Sequence, residues 1–332
     1  MVIIMAGERY FSWGDETTYG ELATDRIMYM DLGKCGIDAA QGAYIDLPTM
    51  DRTASRTKKG FYSPSGSSEY AMDLISLQYF LRYFGGNYNF TDNSSTGEFN
   101  LHEIYQTPNR KLPSFSAFVG KEKFEHQFSG CIIDKLGISV SDGLCNCNFD
   151  VLGRKDHRGP LKNESDIERH EGYPLAFYEV NTYKDTEDWS PKITNWAWEG
   201  SNSGAAIQGQ GDMHPRKIRV NASAPTLKID MEFEDESLLQ EYWGGPDGPT
   251  PKTETFSLQS DFVDENGYSM NFKLHKCYLK NVPQTLEGSD AITQSLEMGL
   301  LADIVTLDDG VTKAKTPWIA SILNETPALT TV

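Results

Sequence analysis

Apolar and polar residues alternate, strictly around the first of two turn dipeptides and with interruptions around the second, and this pattern constrains the fold more than any other feature. The alternation covers residues 138–151 around Asp142-Gly143 and residues 256–279 around Asn266-Gly267. Every second side chain of a strand shares one face, and Asp-Gly or Asn-Gly supplies the positive φ angles of a tight hairpin turn. The sequence therefore predicts at least two β-hairpins.

Further alternating stretches predict strands at residues 218–222, 227–233 and 291–305. Residues 236–243, followed by Gly244-Gly245, predict a short helical turn. Antiparallel strands with occasional helices form a sandwich or an open barrel. We therefore expect a mainly β fold, an antiparallel β-sandwich or barrel with one flanking α-helix and long loops.

The best helical pattern spans residues 67–84. Apolar residues recur there at spacings of three and four, namely Leu74, Leu77, Leu81 and Phe84. Ser67 or Ser68 can cap the start, and Gly85-Gly86 supplies the stop. A helix with one apolar face needs a surface to cover that face, so we expect this helix to pack against the sheet.

The pattern divides the chain into an extended N-terminal arm and loop, residues 1–66, and a β domain, residues 67–330. Residues 50–60 are basic in an acidic chain, which fits a solvated loop or an interaction arm. Residues 154–190 are charged and contain two prolines, which predicts a long functional or mobile loop. A second loop, small and nearly uncharged, is predicted at residues 200–215.

Thirty basic and 48 acidic residues give a net charge of −18. A surface this negative repels phosphate, so tight nucleic-acid binding is not expected, although solubility alone explains the charge equally well. Five cysteines without a regular framework indicate reduced thiols and assembly in a cytosol. No apolar run approaches the ~20 residues of a membrane span, and residues 1–6 are too short for a signal-peptide core.

Motifs that would carry catalysis are absent from the sequence or weak. There is no nucleophile elbow, zinc-protease motif or Walker lysine. The best metal candidates lie in a charged stretch where such residues mostly face water: Glu168, His170 and Glu171. Three carboxylates share one face of the strand predicted at 227–233, where solvation explains them better than glycoside hydrolysis: Asp230, Glu232 and Glu234. We expect no enzymatic activity, no cofactor and no bound metal.

Trp196 and Trp198 alternate on one face of another predicted strand. Such a pair serves as a sugar-stacking platform in some β-sandwiches. Burial in a core or a subunit interface is its more frequent fate. A carbohydrate-binding module that uses these two indoles is therefore the alternative function.

Short motifs, taken in order along the chain, resemble the tail tube proteins of tailed bacteriophages and archaeal viruses. They are Glu16-Thr-Thr-Tyr19-Gly20, the helix ending in Leu81-Arg-Tyr-Phe-Gly85, Leu112-Pro-Ser114-Phe115, Gly130-Cys131 with the strand to Ile138, and Phe149-Asp-Val-Leu-Gly153. The C-terminal half follows that family more loosely, through Arg219-Val-Asn-Ala and Leu227-Lys-Ile-Asp. Residues 154–190 have no counterpart in the family's pattern.

The resemblance implies a structural virion protein that assembles in the host cytoplasm and resides in the viral tail. Subunits would close into rings, typically hexamers, and the rings would stack through arms and loops into a hollow tube. Expected partners are further copies of the chain, a tape-measure protein, tail-end proteins, and viral DNA that passes the lumen without specific binding. The residues expected at assembly contacts are Tyr19, Arg26, Arg56, Lys58, Lys59, Trp196 and Trp198.

Overall fold

Strands follow one another along most of the chain. A computed structural model describes residues 9–30, 32–39, 41–46, 53, 56–106, 108, 111–167, 169, 172–232, 236–285 and 293–329. The first half contains β1 (Arg9–Asp15), β2 (Met28–Met30), β3 (Lys34–Cys35), β4 (Gln41–Asp46), β5 (Arg56–Tyr62), β6 (Ser65–Ala71), α1 (Leu74–Gly85), β7 (Gly86–Thr91), β8 (Asn100–Gln106), β9 (Phe115–Lys121), β10 (Glu125–Val140), β11 (Asn146–Leu152) and β12 (Lys155–Gly159).

The second half contains β13 (Val180–Lys184), β14 (Glu187–Asp188), β15 (Ile193–Ser201), β16 (Ala205–Ile207), β17 (Lys217–Arg219), β18 (Thr226–Glu232), α2 (Ser237–Trp243), β19 (Phe256–Val263), β20 (Ser269–Asn281), β21 (Gln284–Thr285), β22 (Thr293–Leu300), β23 (Asp303–Thr306), β24 (Lys313–Thr316) and β25 (Trp318–Asn324). The expected mainly β fold with antiparallel sheets and a helix packed on them is confirmed.

The named strands pair antiparallel, and the long strand β10 connects two parts of the main sheet. Its first half pairs with β9 and β12, and β9 continues to β1 and β2. Its second half pairs with β11 and β15, and the sheet continues from β15 through β18 and β22 to β20. Gly130 adopts φ 66 at the register break between Phe128 and Cys131, and lets the strand bend from one part to the other.

Helix α1 begins at Leu74, later than the predicted start at residue 67. The Asp73 carboxylate accepts a hydrogen bond from the Ser76 backbone N–H (2.7 Å) and is the N-cap. Residues 65–71 form β6 instead, because Ser68 and Tyr70 alternate into the core and the segment pairs with β11. The predicted stop is confirmed, since Gly86 ends the helix at φ 86.

Ten of the twelve residues of α1 are buried. The helix packs against β10 on one side and against β7, β8 and β25 on the other. These strands lie far apart in the order of the sheet, so the sheet curves around the helix. The apolar stripe seen in the sequence therefore accounts for one buried face of α1. The other face of the helix is buried because the sheet curves around it.

Both predicted hairpins are confirmed, but their turns are longer than the predicted tight turns, since the last paired residues are Ser139 with Asn146 and Val263 with Ser269. The turn at Asp142-Gly143 joins β10 to β11, and the turn at Asn266-Gly267 joins β19 to β20. Gly143 and Gly267 have φ angles of 116° and 81°, in the region where glycine is the least strained residue. The short helix is also confirmed as α2, which ends at Gly244.

Three boundary predictions were wrong. Residues 154–190 are not one loop, because they contain β12, which pairs with β10, and β13, which pairs with β14 and β19. Likewise β15 and β16 occupy part of 200–215. The strand predicted at 291–305 is split into β22 and β23, with residues 291 and 292 outside the described residues.

The N-terminal segment is not an arm throughout. In β1, residues 10–14 are buried and Trp13 is fully enclosed, so Arg9–Asp15 belongs to the sheet. Residues 1–8 and parts of 50–60 lie outside the described residues. The glycine-rich composition of the N-terminal segment gave no sign of β1. This strand forms because it pairs with β2 on one side and with β9 on the other.

Candidate assembly surfaces

Trp196 and Trp198 lie in the core, each 1% exposed. The ring of Trp198 contacts those of Phe272 and Trp318 edge-on, with centroids 5.2 and 5.5 Å apart. Aromatic pairs in this geometry contribute to core packing beyond their buried area. The predicted contact surface and sugar platform at these two indoles are therefore contradicted, because alternation placed them on the inner face of the sheet.

Arg26 is also internal. Its guanidinium donates two hydrogen bonds to the Glu125 carboxylate (2.5 and 2.6 Å), and it stacks on the ring of Phe118 at 4.1 Å. Tyr10 and Gln127 also donate to Glu125. Burial raises the pKa of Glu125, but these hydrogen bonds outweigh it and hold the pKa below its ordinary value. The side chain thus neutralises a buried carboxylate of its own chain and is only 14% exposed, so its role as a contact between subunits stays a prediction.

Tyr19 is half-buried beneath Arg154. The Arg154 guanidinium lies 5.7 Å from the ring centroid and donates to the Tyr19 carbonyl oxygen (3.4 Å). Burial raises the pKa of Tyr19 to about 12. The residue supports the loop that follows β1, and only part of its ring remains for a neighbouring molecule.

The Glu16 carboxylate is buried close to Tyr19 and joins three separate segments. It accepts hydrogen bonds from the backbone N–H groups of Gly20 (2.9 Å) and Gly130 (2.6 Å). The hydroxyls of Ser114 and Ser116 donate to it at 2.9 Å. The motifs at 16–20, 112–115 and 130–131 therefore meet at one carboxylate, which explains their spacing as a structural requirement.

A two-stranded hairpin of β4 and β5, called the arm hairpin below, carries the remaining predicted residues. Arg56, Lys58 and Lys59 are exposed, as is Tyr44 at 66%. Residues 41–44 and 56–59 are exposed without a break, so both faces of the hairpin face solvent. Within the described part of the chain these three cations have no ion-pair partner.

Charged side chains hold the base of the arm hairpin to the body. The His126 and Asp156 side chains are hydrogen-bonded (2.7 Å), and Asp38 lies 3.6 Å from the Lys121 ammonium and 3.8 Å from His126. Tyr62, the last residue of β5, hydrogen-bonds to Asp156, and burial together with this bond raises the pKa of Tyr62. Burial raises the pKa of Asp156, but hydrogen bonds from His126 and Tyr62 more than offset it. The hairpin is therefore anchored at its base.

A groove of about 470 Å³, lined by apolar and polar residues in equal number, lies elsewhere, between β13 and β15. Phe177 and Tyr178 line it and are 48% and 70% exposed, with ring centroids 5.6 Å apart. Two further exposed apolar residues lie near these segments: Leu144, which pairs with Ala176 beside Phe177, and Val263, which follows the partner of Val180 in the strand pairing. We call Leu144, Phe177, Tyr178 and Val263 with the groove walls the aromatic groove. Exposed apolar patches of this kind mark interaction sites.

Sequence reasoning missed the aromatic groove because Phe177 and Tyr178 fall in the stretch interpreted as a charged loop. The apolar run from Leu175 to Val180 within that stretch was the available signal. Tertiary pairing of β13 with β19 then decides which of these residues are exposed.

The predicted metal candidates Glu168, His170 and Glu171 and the carboxylate of Glu234 lie outside the described residues. Among the residues that are described, no group of three or more His, Cys, Asp or Glu could hold a metal ion. No helix in the described ranges is long and apolar enough to cross a membrane.

Fold and surfaces together define a class: a mainly antiparallel β protein with an enclosed helix, a projecting basic hairpin and an exposed aromatic groove. Comparison of the chain with models of protein families and with curated proteins gave no match.

Proposed function

We propose that this chain is a structural subunit that assembles with copies of itself into stacked rings, typically hexameric, which form a hollow tube of the viral tail type. Viral DNA would pass through the lumen into the host, and a tape-measure protein and tail-end proteins would contact the tube. The ordered motifs that resemble tail tube proteins motivate this proposal, together with the surface of the molecule.

The arm hairpin is the observation that carries it. A two-stranded hairpin with both faces in water is marginally stable at best, because it buries too little apolar surface. Docking on another molecule supplies the missing burial. Three unpaired cations on the hairpin and a net charge of −18 on the chain make a second copy a suitable partner.

The overall charge supports the tube as a DNA conduit. A wall with an excess of carboxylates repels the phosphate backbone, so DNA slides past without specific contacts. No single residue of the lumen is assigned by this argument.

Glycan binding is the alternative function predicted from the sequence. The two indoles predicted to stack on a sugar, Trp196 and Trp198, are both buried. The exposed aromatic rings of Phe177 and Tyr178 are the remaining place where a sugar could stack. Assembly remains the better supported function, because the ordered motifs and the arm hairpin both favour it.

Negative-stain electron microscopy across a range of protein and salt concentrations tests the proposal. Rings or hollow tubes of even diameter are the expected result. A protein that stays monomeric at every concentration, also after addition of preformed tube fragments as seeds, would overturn it. Titration with a saccharide array, read by tryptophan fluorescence, then tests the alternative.

A further inference from the structure

The arm hairpin and the aromatic groove lie at opposite ends of β10. Asp38 and Tyr62, at the base of the hairpin, contact His126 and Asp156, and His126 is the second residue of β10. Val140, the last residue of β10, lines the groove. A strand of 16 residues is roughly 50 Å long at ~3.3 Å per residue, less the bend at Gly130. The hairpin of one molecule therefore lies far from its own groove.

Acidic side chains surround the aromatic groove. Asp188 lines it, Asp142 lies in the turn beside Leu144, and Glu265 lies in the turn after Val263. All three acids are exposed. The lysines closest to the groove are already engaged, since Lys184 pairs with Glu241 and Lys192 pairs with Glu187. The rim of the groove is thus negative.

The arm hairpin presents the complementary chemistry. Tyr44 exposes an aromatic ring, and Arg56, Lys58 and Lys59 supply three cations from the neighbouring strand. An aromatic anchor in an apolar groove with opposite charges at the rim is the usual composition of a specific protein contact. Opposite charges at the rim also orient the approach of the two molecules.

We propose that the arm hairpin of one copy docks in the aromatic groove of the next copy, with Tyr44 against Phe177 and Tyr178 and the three cations against the acidic rim. This inference rests on the proposed self-assembly. It identifies the contact through which further copies can be added. The two surfaces differ and lie at opposite ends, so the contact is head-to-tail, and it repeats without limit where the rotation between successive copies does not close a ring. Contacts that close a ring are separate from it.

Two variants break the contact from either side. Tyr178→Ala removes a 70% exposed ring from the groove without adding a charge. Lys58→Glu with Lys59→Glu reverses the charge of the hairpin. Both sites are exposed, so the fold is expected to persist, and thermal unfolding checks it. Lys313→Glu with Lys315→Glu is the matched control, because these exposed lysines lie on another two-stranded hairpin, formed by β23 and β24.

At an ionic strength of about 0.15 M, each variant alone is expected to form only the particles that do not need this contact, while the control assembles like the unmodified protein. The two variants are prepared separately and mixed in equal amounts, and particle mass is read by analytical ultracentrifugation. The hairpin of the groove variant fits the intact groove of the hairpin variant, so the mass should double. It should then stop, because the free ends carry only altered surfaces.

The outcomes separate this inference from the function on which it rests. An unmodified protein that never assembles overturns both. Normal assembly of the Tyr178→Ala variant overturns the docking alone, and loss of saccharide binding in that variant would assign the groove to a glycan. A mixture that does not gain mass over the separate variants shows that the contact is not head-to-tail, which also overturns the docking.

Discussion

At the scale of single residues, Glu125 holds a charge with its side chain fully buried because every oxygen has a donor. Arg26, Tyr10 and Gln127 donate to it at 2.5 to 2.7 Å. A buried ion pair of this kind costs desolvation when it forms, and its two partners depend on each other. Removing one partner therefore costs more than the pair contributes.

Arg26→Ala is expected to lower the free energy of unfolding by about 3–5 kcal/mol, because Glu125 would be left charged and buried. Urea denaturation measures it. Arg9→Ala is the matched control: Arg9 pairs with Glu122 on the surface, where its side chain is 73% exposed, and such pairs contribute about 0–1 kcal/mol. Equal losses in the two variants would contradict the burial argument.

His102 makes the stability of the fold depend on pH. It is fully buried, with Nδ1 3.0 Å from the Tyr88 hydroxyl and Nε2 3.1 Å from the Thr326 hydroxyl. Burial lowers the pKa of His102 from 6.5 to about 4. The folded protein therefore keeps His102 neutral where the unfolded chain takes up a proton.

The free energy of unfolding is thus expected to fall by about 3 kcal/mol between pH 7 and pH 4 on account of His102. The contribution is complete above pH 6.5 and is lost as the pH falls toward 4, since the folded pKa is the lower one. Denaturation curves over this range measure it. His102→Gln should be less stable at pH 7 but should lack this part of the slope; an unchanged slope would contradict the assignment.

At the scale of elements, the N-terminus of α1 depends on one carboxylate. Asp73→Ala is expected to lower the free energy of unfolding by about 1 kcal/mol, because the Ser76 N–H loses its acceptor. Thermal unfolding measures it, and Asp73→Asn should retain most of the stability. Ser67→Ala, at the start predicted from the sequence, should change almost nothing, because Ser67 is an exposed residue of β6.

The elements that could be predicted from the sequence are those with a local cause. Asp142-Gly143 and Asn266-Gly267 dictate their hairpins through backbone conformation, and Gly86 ends α1 in the same way. Residues 65–71 escaped prediction because nothing local in Ser-Gly-Ser-Ser favours a strand, and pairing with β11 decides it. In this segment tertiary contacts determine the secondary structure, and the local propensity of the residues does not.

The candidate surface residues also differ in whether a local sequence pattern could predict them. A run of basic residues was sufficient to predict Arg56, Lys58 and Lys59 as exposed, because charge seldom enters a core without a partner. Arg26 had such a partner in Glu125, 99 residues away, which no local pattern reveals. The aromatic groove combines residues from turns and strands that are distant in sequence, so only the fold brings them together.

At the scale of the whole molecule, long-range repulsion opposes assembly. Every copy has a net charge of −18, and the repulsion between two copies grows with the square of that charge. Docking of the arm hairpin sets only three cations against a similar number of rim acids. At ionic strengths of about 0.01 M charges interact over roughly 30 Å, but at 0.15 M only over about 8 Å. Salt should therefore remove more repulsion than attraction.

The protein concentration at which assembly begins is accordingly expected to fall when the ionic strength rises from about 0.01 to 0.15 M, as measured by light scattering. Lys58→Glu with Lys59→Glu changes the net charge from −18 to −22, and so does Lys313→Glu with Lys315→Glu. Salt should restore assembly of the second pair, in which only net charge has changed, but not of the first, in which the docking hairpin is altered. A starting concentration that rises with salt for the unmodified protein would show that local attraction between charges dominates, and the assembly would then depend on ion pairs more than on the aromatic groove.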